Sequence, residues 1–81
     1  MNEQPNNDLI AGRNAVSEAL RGQRPINKIL LAEGAHGGSL GEIVALAKSK
    51  GVPVETVKPD KLDKMAKGLR HQGVAALAAP I

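Results

Sequence analysis

The chain contains no cysteine, phenylalanine, tyrosine or tryptophan among its 81 residues. Without cysteine no disulfide can form, so packing alone must hold the fold, and an intracellular setting is the natural expectation. Without Phe, Tyr or Trp the chain lacks the platforms on which unpaired bases usually stack. Any contact with RNA would then rest on phosphates, sugar hydroxyls and polar or Arg contacts to base edges. No apolar run approaches the roughly 20 residues of a membrane span. The first eight residues are polar and not basic, unlike a secretory leader. The expectation is a soluble, cytoplasmic protein that makes no use of a membrane.

What remains is aliphatic and mildly basic. Leu, Ile and Val number twenty, with twelve Ala and two Met, enough for one modest core in one small domain. The net charge of +3 suits an anionic partner without requiring one. Residues 1–7 offer almost nothing to bury and read as a disordered lead-in, leaving residues 8–81 as the domain.

Within that domain, strand-like and helix-like segments alternate. Leu9-Ile10-Ala11 reads as a short strand. Gly12, Ala15, Val16, Ala19 and Leu20 then recur on one helix face, with Gly22 as the stop. Ile29-Leu30-Leu31-Ala32 is a continuous apolar run, expected of a strand covered on both faces. A glycine-rich loop follows, and Ser39 to Glu42 has the spacing of a capping box. Leu40, Ile43, Val44 and Ala47 predict a second helix ending at Gly51. Residues 52–57 read as a strand, and Pro59 opens a third helix with Leu62, Met65, Ala66 and Leu69 as its apolar stripe. Residues 73–79 form the last strand. This order predicts a small sheet with helices on both faces.

The polar residues that stand out lie at the junctions. Arg70, His71, Gln72 and Gly73 sit between the third helix and the last strand. Two readings of His71 and Gln72 stay open on chemistry alone. In one their side chains cap backbone groups of a turn that needs Gly73; in the other they hydrogen-bond an RNA phosphate, 2′-hydroxyl or base edge. Arg13 and Asn14 open the first helix, where backbone N–H groups favour an anion, although Asn14 could merely cap the helix. Lys61, Lys64, Lys67 and Arg70, spaced by three, would fan over about half of the third helix's circumference. The segment 34–39 lacks the Gly-Lys-Ser/Thr ending of a phosphate-binding loop. His36 and His71 have no neighbouring acids or thiols to suggest a metal site. Ser17, Ser39 and Ser49 are explicable as helix residues, so no nucleophile–base pair emerges and no catalytic residue is expected.

Three stretches together carry a resemblance: residues 10–20 (IAGRNAVSEAL), residues 50–54 (KGVPV) and residues 70–76 (RHQGVAA). In combination they resemble the N-terminal substrate-binding domain of SpoU-type (TrmH-family) RNA 2′-O-ribose methyltransferases, over residues 8–80 or so. The resemblance implies a three-layer α/β/α sandwich with a mixed four-stranded sheet, similar to ribosomal and kink-turn-binding proteins. It implies a domain that grips structured rRNA or tRNA. A following C-terminal knotted domain, outside this chain, would bind S-adenosylmethionine, dimerise and transfer the methyl group, so no cofactor-binding residue is expected here. The favoured parent activity is guanosine 2′-O-methylation in 23S rRNA, with the isolated domain monomeric. On this reading Arg13, Asn14, Arg70, His71, Gln72 and Gly73 form the RNA-binding edge, with Lys28 and Lys58 adding charge. The competing readings are a freestanding ribosomal or kink-turn-type RNA-binding protein, and a domain whose basic helix face docks an acidic protein. A knotted domain encoded downstream would favour the methyltransferase reading over the freestanding protein.

Overall fold

The computed structural model describes residues 8–22, 24–68 and 71–79. The expected lead-in, together with Leu69, Arg70 and Pro80, lies outside the described residues. The elements run β1 (Asp8–Ala11), α1 (Arg13–Arg21), β2 (Ile26–Ala32), α2 (Gly38–Ser49), β3 (Val54–Val57), α3 (Pro59–Ala66) and β4 (Val74–Ala78). The strands form one mixed sheet in the order β1-β4-β2-β3. β4 is antiparallel to both of its neighbours, and β2 and β3 are parallel.

Side-chain alternation along the strands divides the core in two. On one face α1 and α2 lay Val16, Leu20, Leu40, Ile43 and Ala47 against Ile29, Val74 and Ala76. On the other, Leu62 of α3 packs against Leu30, Ala32, Val57 and Ala75. This is the expected three-layer α/β/α sandwich. β4 is central and carries alanines at 75, 76 and 78, all fully buried, so the bulk between layers comes from the helices' Leu and Ile side chains. Burying one such side chain stabilises the fold by about 1.5–3 kcal/mol. None of the described helices is long and apolar enough to cross a membrane.

Local detail departs from expectation at several ends. α2 closes as expected near Gly51, whose φ of 72° lets its N–H reach Lys48 O at 3.1 Å while Val52 N–H reaches Ala47 O at 2.8 Å. That pair of bonds is the Schellman motif, with Val52 returning to the core. Gly22 also ends its helix, but in an extended rather than a left-handed conformation. The capping box does not form. α2 begins at Gly38 behind Gly37, with no side-chain cap, and Ser39 lies inside the first turn. β3 starts at Val54, two residues later than its hydrophobicity suggests. Before it, Pro53 contributes only its carbonyl, accepting from Ile29 N–H at 2.9 Å. α3 stops at Ala66 because Lys67 turns left-handed (φ 52°). The helical fan of basic residues therefore ends at Lys64, and Lys67 does not continue it.

Candidate nucleic-acid interface

The registers bring four chain segments to one end of the sheet. Ala11 of β1 pairs with Ala75, Leu31 of β2 pairs with Val74, and Ala32 pairs with Val57 of β3. The start of α1, the loop from β2 to α2, the entry to α3 and the turn before β4 therefore converge there. Of the residues singled out from the sequence, Arg13, Asn14, Lys58, His71, Gln72 and Gly73 all lie at this end. Arg70 is outside the described residues. Lys28 lies near the start of β2, toward the other end of the sheet, and binds Glu55 at 2.8 Å. The Lys28 ammonium, by hydrogen bond first and charge second, holds the Glu55 carboxyl below its usual range.

Arg13 is the centre of the cluster. Its backbone N–H, the first of the helix and without an intrahelical acceptor, donates to Gln72 Oε1 at 3.1 Å. Its Nε donates to Gln72 O at 3.2 Å, Nη1 to Ser39 Oγ at 3.1 Å and Nη2 to His36 O at 3.3 Å. Gln72 thus serves as the cap of α1 from 59 positions away, a role that neither Gly12 nor Asn14 fills. Asn14 is exposed inside the helix. Gln72 takes a left-handed φ of 54°, a conformation that costs a side-chain-bearing residue roughly 1–2 kcal/mol. The guanidinium itself is held by three neutral oxygens, which leaves its charge unneutralised by these contacts.

His71 is turned inward. Its Nδ1 accepts the Gly73 backbone N–H at 2.9 Å, and its Nε2 meets Asp63 Oδ1 of α3. An N–H can only donate, so Nδ1 carries the lone pair and the proton sits on Nε2, facing the carboxylate. The side chain is only 17% exposed. Gly73 has a φ of 83°, and a Cβ there would lie 2.8 Å from the Ala35 methyl. The turn and the β2–α2 loop are therefore in direct contact, and only glycine fits between them. Among described residues, the backbone-capping reading of His71 and Gln72 describes the contacts their side chains make. Sequence reasoning missed that Ser39 and His36 join Arg13, and that Asp63 turns to His71. No local spacing signals the Arg13 partners, which lie 23 to 59 positions away, or the Asp63–His71 pair, 8 positions apart across the end of α3.

Residues 9–81 match the family model described as RNA 2′-O ribose methyltransferase substrate binding. The chain belongs to this family. Two relatives fit the same picture. A Staphylococcus aureus protein named "Putative TrmH family tRNA/rRNA methyltransferase" is 49% identical over 72 residues, covering 89% of this chain and 29% of its own length. A similarly named Bacillus subtilis protein is 39% identical over 72 residues, covering 89% of this chain and 28% of its own length. The substrate-binding domain thus spans under a third of the curated relatives that it matches.

Proposed function

We propose that this domain captures structured rRNA or tRNA and holds a target ribose for 2′-O-methylation by a catalytic domain of the same parent protein. The observation that carries this reading is family membership across residues 9–81, in relatives more than three times longer than the match. Capture takes place at the convergent sheet end. Exposed Asn14 and Lys58 face solvent there, the guanidinium of Arg13 contributes a fixed positive charge, and Arg70, next to His71 in sequence, is a further RNA contact on this reading. His71 and Gly73 build the turn that carries this edge, and exposed Gln72 offers RNA its side-chain amide N–H groups. Lys28 adds positive charge from the flank of the same sheet, shared with Glu55.

Within the parent, S-adenosylmethionine bound outside this chain would be the methyl donor, the ribose 2′-hydroxyl gaining the methyl and losing its proton as S-adenosylhomocysteine is released. Among the described residues, the glycine-rich loop between β2 and α2 does not fit that cofactor. The glycine-rich β2–α2 loop is filled by Arg13, whose Nη1 lies 3.0 Å from where a Gly37 Cβ would stand. The domain's part is positional: fixing an RNA element relative to the catalytic domain replaces a bimolecular encounter with an oriented one, which can lower a barrier by several kcal/mol. The preferred parent is a cytoplasmic, homodimeric 23S rRNA guanosine 2′-O-methyltransferase whose C-terminal knotted domain binds the cofactor, with this domain monomeric when separate.

The test is the affinity of this chain for rRNA stem–loops as a function of salt. Affinity should fall linearly with salt on logarithmic axes, and Lys58→Ala should lower the slope by about one. A flat salt response overturns phosphate capture. An unchanged slope for Lys58→Ala removes that residue from the interface.

A further inference from the structure

The missing Phe, Tyr and Trp leave two flat rings in the chain, the imidazoles of His36 and His71. They are in opposite situations. Both nitrogens of His71 are committed to Gly73 and Asp63, and its side chain is largely covered. His36 is exposed, and its ring makes no hydrogen bond among the described residues. Yet the loop that carries it is tightly held. Arg13 Nη2 binds the His36 carbonyl and Nη1 binds Ser39. Ala35 N–H returns to Ala32 O at 3.0 Å, and the Ala35 methyl lies against Gly73. Gly37, with a φ of 134°, passes directly beside the guanidinium.

A loop containing Gly34, Gly37 and Gly38 would otherwise lose much conformational entropy on binding anything. Here that ordering is already done by contacts within the fold. Between Glu33 and Ser39 the sequence is Gly-Ala-His-Gly-Gly, so His36 is the one side chain in the held segment able to present a ring. It lies at the same sheet end as the basic groups that would bind phosphate. An imidazole offers a π-face for a base whatever its sequence.

We propose that His36 is the base-stacking residue of this domain, its ring presented to an unpaired RNA nucleotide by the Arg13 clasp, with Arg13 a positioning residue. The inference rests on the RNA reading above and adds the ligand class: a nucleotide splayed out of a loop or bulge, rather than duplex backbone alone. It also changes what the absence of Phe, Tyr and Trp implies, since one exposed imidazole on a pre-ordered loop supplies the platform.

The test uses this chain with rRNA stem–loops carrying 2-aminopurine at unpaired positions. Binding should quench the fluorophore. His36→Ala should abolish the quench and weaken affinity by about 5- to 150-fold, the usual range for one stacked base, while the salt slope stays as in the parent chain. His36→Phe should restore both. Arg13→Lys keeps the charge but loses the three-way clasp, so it should weaken the quench, and His36→Phe should no longer rescue in that background. Circular dichroism confirms that each variant is folded. His36→Ala binding within about two-fold of the parent chain, or His36→Phe failing to restore the quench, overturns the assignment of His36 and leaves the RNA reading intact. Failure of the unmutated chain to bind any stem–loop at low salt overturns the RNA reading itself.

Discussion

Replacing Gly73 with alanine tests the construction of the whole sheet end through one methyl group. Two independent costs meet at this position. The backbone φ of 83° is a conformation that L side chains rarely adopt, and the new Cβ would lie 2.8 Å from the Ala35 methyl. The first costs roughly 1–2 kcal/mol. Carbon atoms rest about 3.5–4.0 Å apart, so the loop or the turn must retreat, at an overpacking cost of about 1–3 kcal/mol. Together they amount to about 2–5 kcal/mol. A domain of this size holds about 4–12 kcal/mol in all, so about a sixth of its stability or more is at stake. The chain has no Trp or Tyr to report unfolding by fluorescence, so a urea titration followed by far-ultraviolet circular dichroism is the assay. With a slope of about 1 kcal/mol per M, the midpoint should fall by about 2 M or more. Adding Ala35→Gly removes the facing methyl but not the dihedral strain, so the double variant should recover the overpacking share alone. A Gly73→Ala midpoint within about 0.5 M of the parent chain would refute the argument. So would a loss that Ala35→Gly does nothing to relieve, because the contact between loop and turn would then carry no energy.

Two further perturbations probe the same framework. Gln72→Leu removes the acceptor for the first N–H of α1 and should cost about 0.5–2 kcal/mol; hydrogen exchange at the Arg13 amide should accelerate well beyond that at Leu20, and equal acceleration at both would show global loosening instead. Lys28→Met releases Glu55, whose carboxyl is held below its usual range by the ammonium. A lowered folded-state value means that the stability from this pair is present above the unfolded carboxylate range and is lost as pH falls through the folded value. The difference in melting temperature between the parent chain and Lys28→Met should therefore shrink as pH is lowered below about 4.5, the ordinary glutamate value, and a difference that is constant or grows in acid would exclude the mechanism.

The sequence by itself determined the layering. Apolar residues spaced three and four apart, the continuous run of residues 29–32 and the alternation of strand with helix leave only a sheet covered on both faces. Hydrophobic period is a local property, so it can be read without knowing what lies opposite. Element ends were less legible, because a cap is decided by whichever acceptor is nearest in space. Ser39 has the spacing of a capping residue and yet serves Arg13, while α1 takes its cap from Gln72. The candidate site followed the same division. Arg13, Asn14, His71 and Gln72 drew attention as residue types at junctions, but only the registers of β1, β2 and β4 bring those junctions to one end. The tertiary structure also divided the two histidines. His71 was drawn inward by Asp63 and Gly73, and His36 was left outward on a loop that Arg13 holds in place. Nothing in the spacing of either residue distinguishes them; the difference comes from contacts made across the folded chain, which sequence neighbours do not encode.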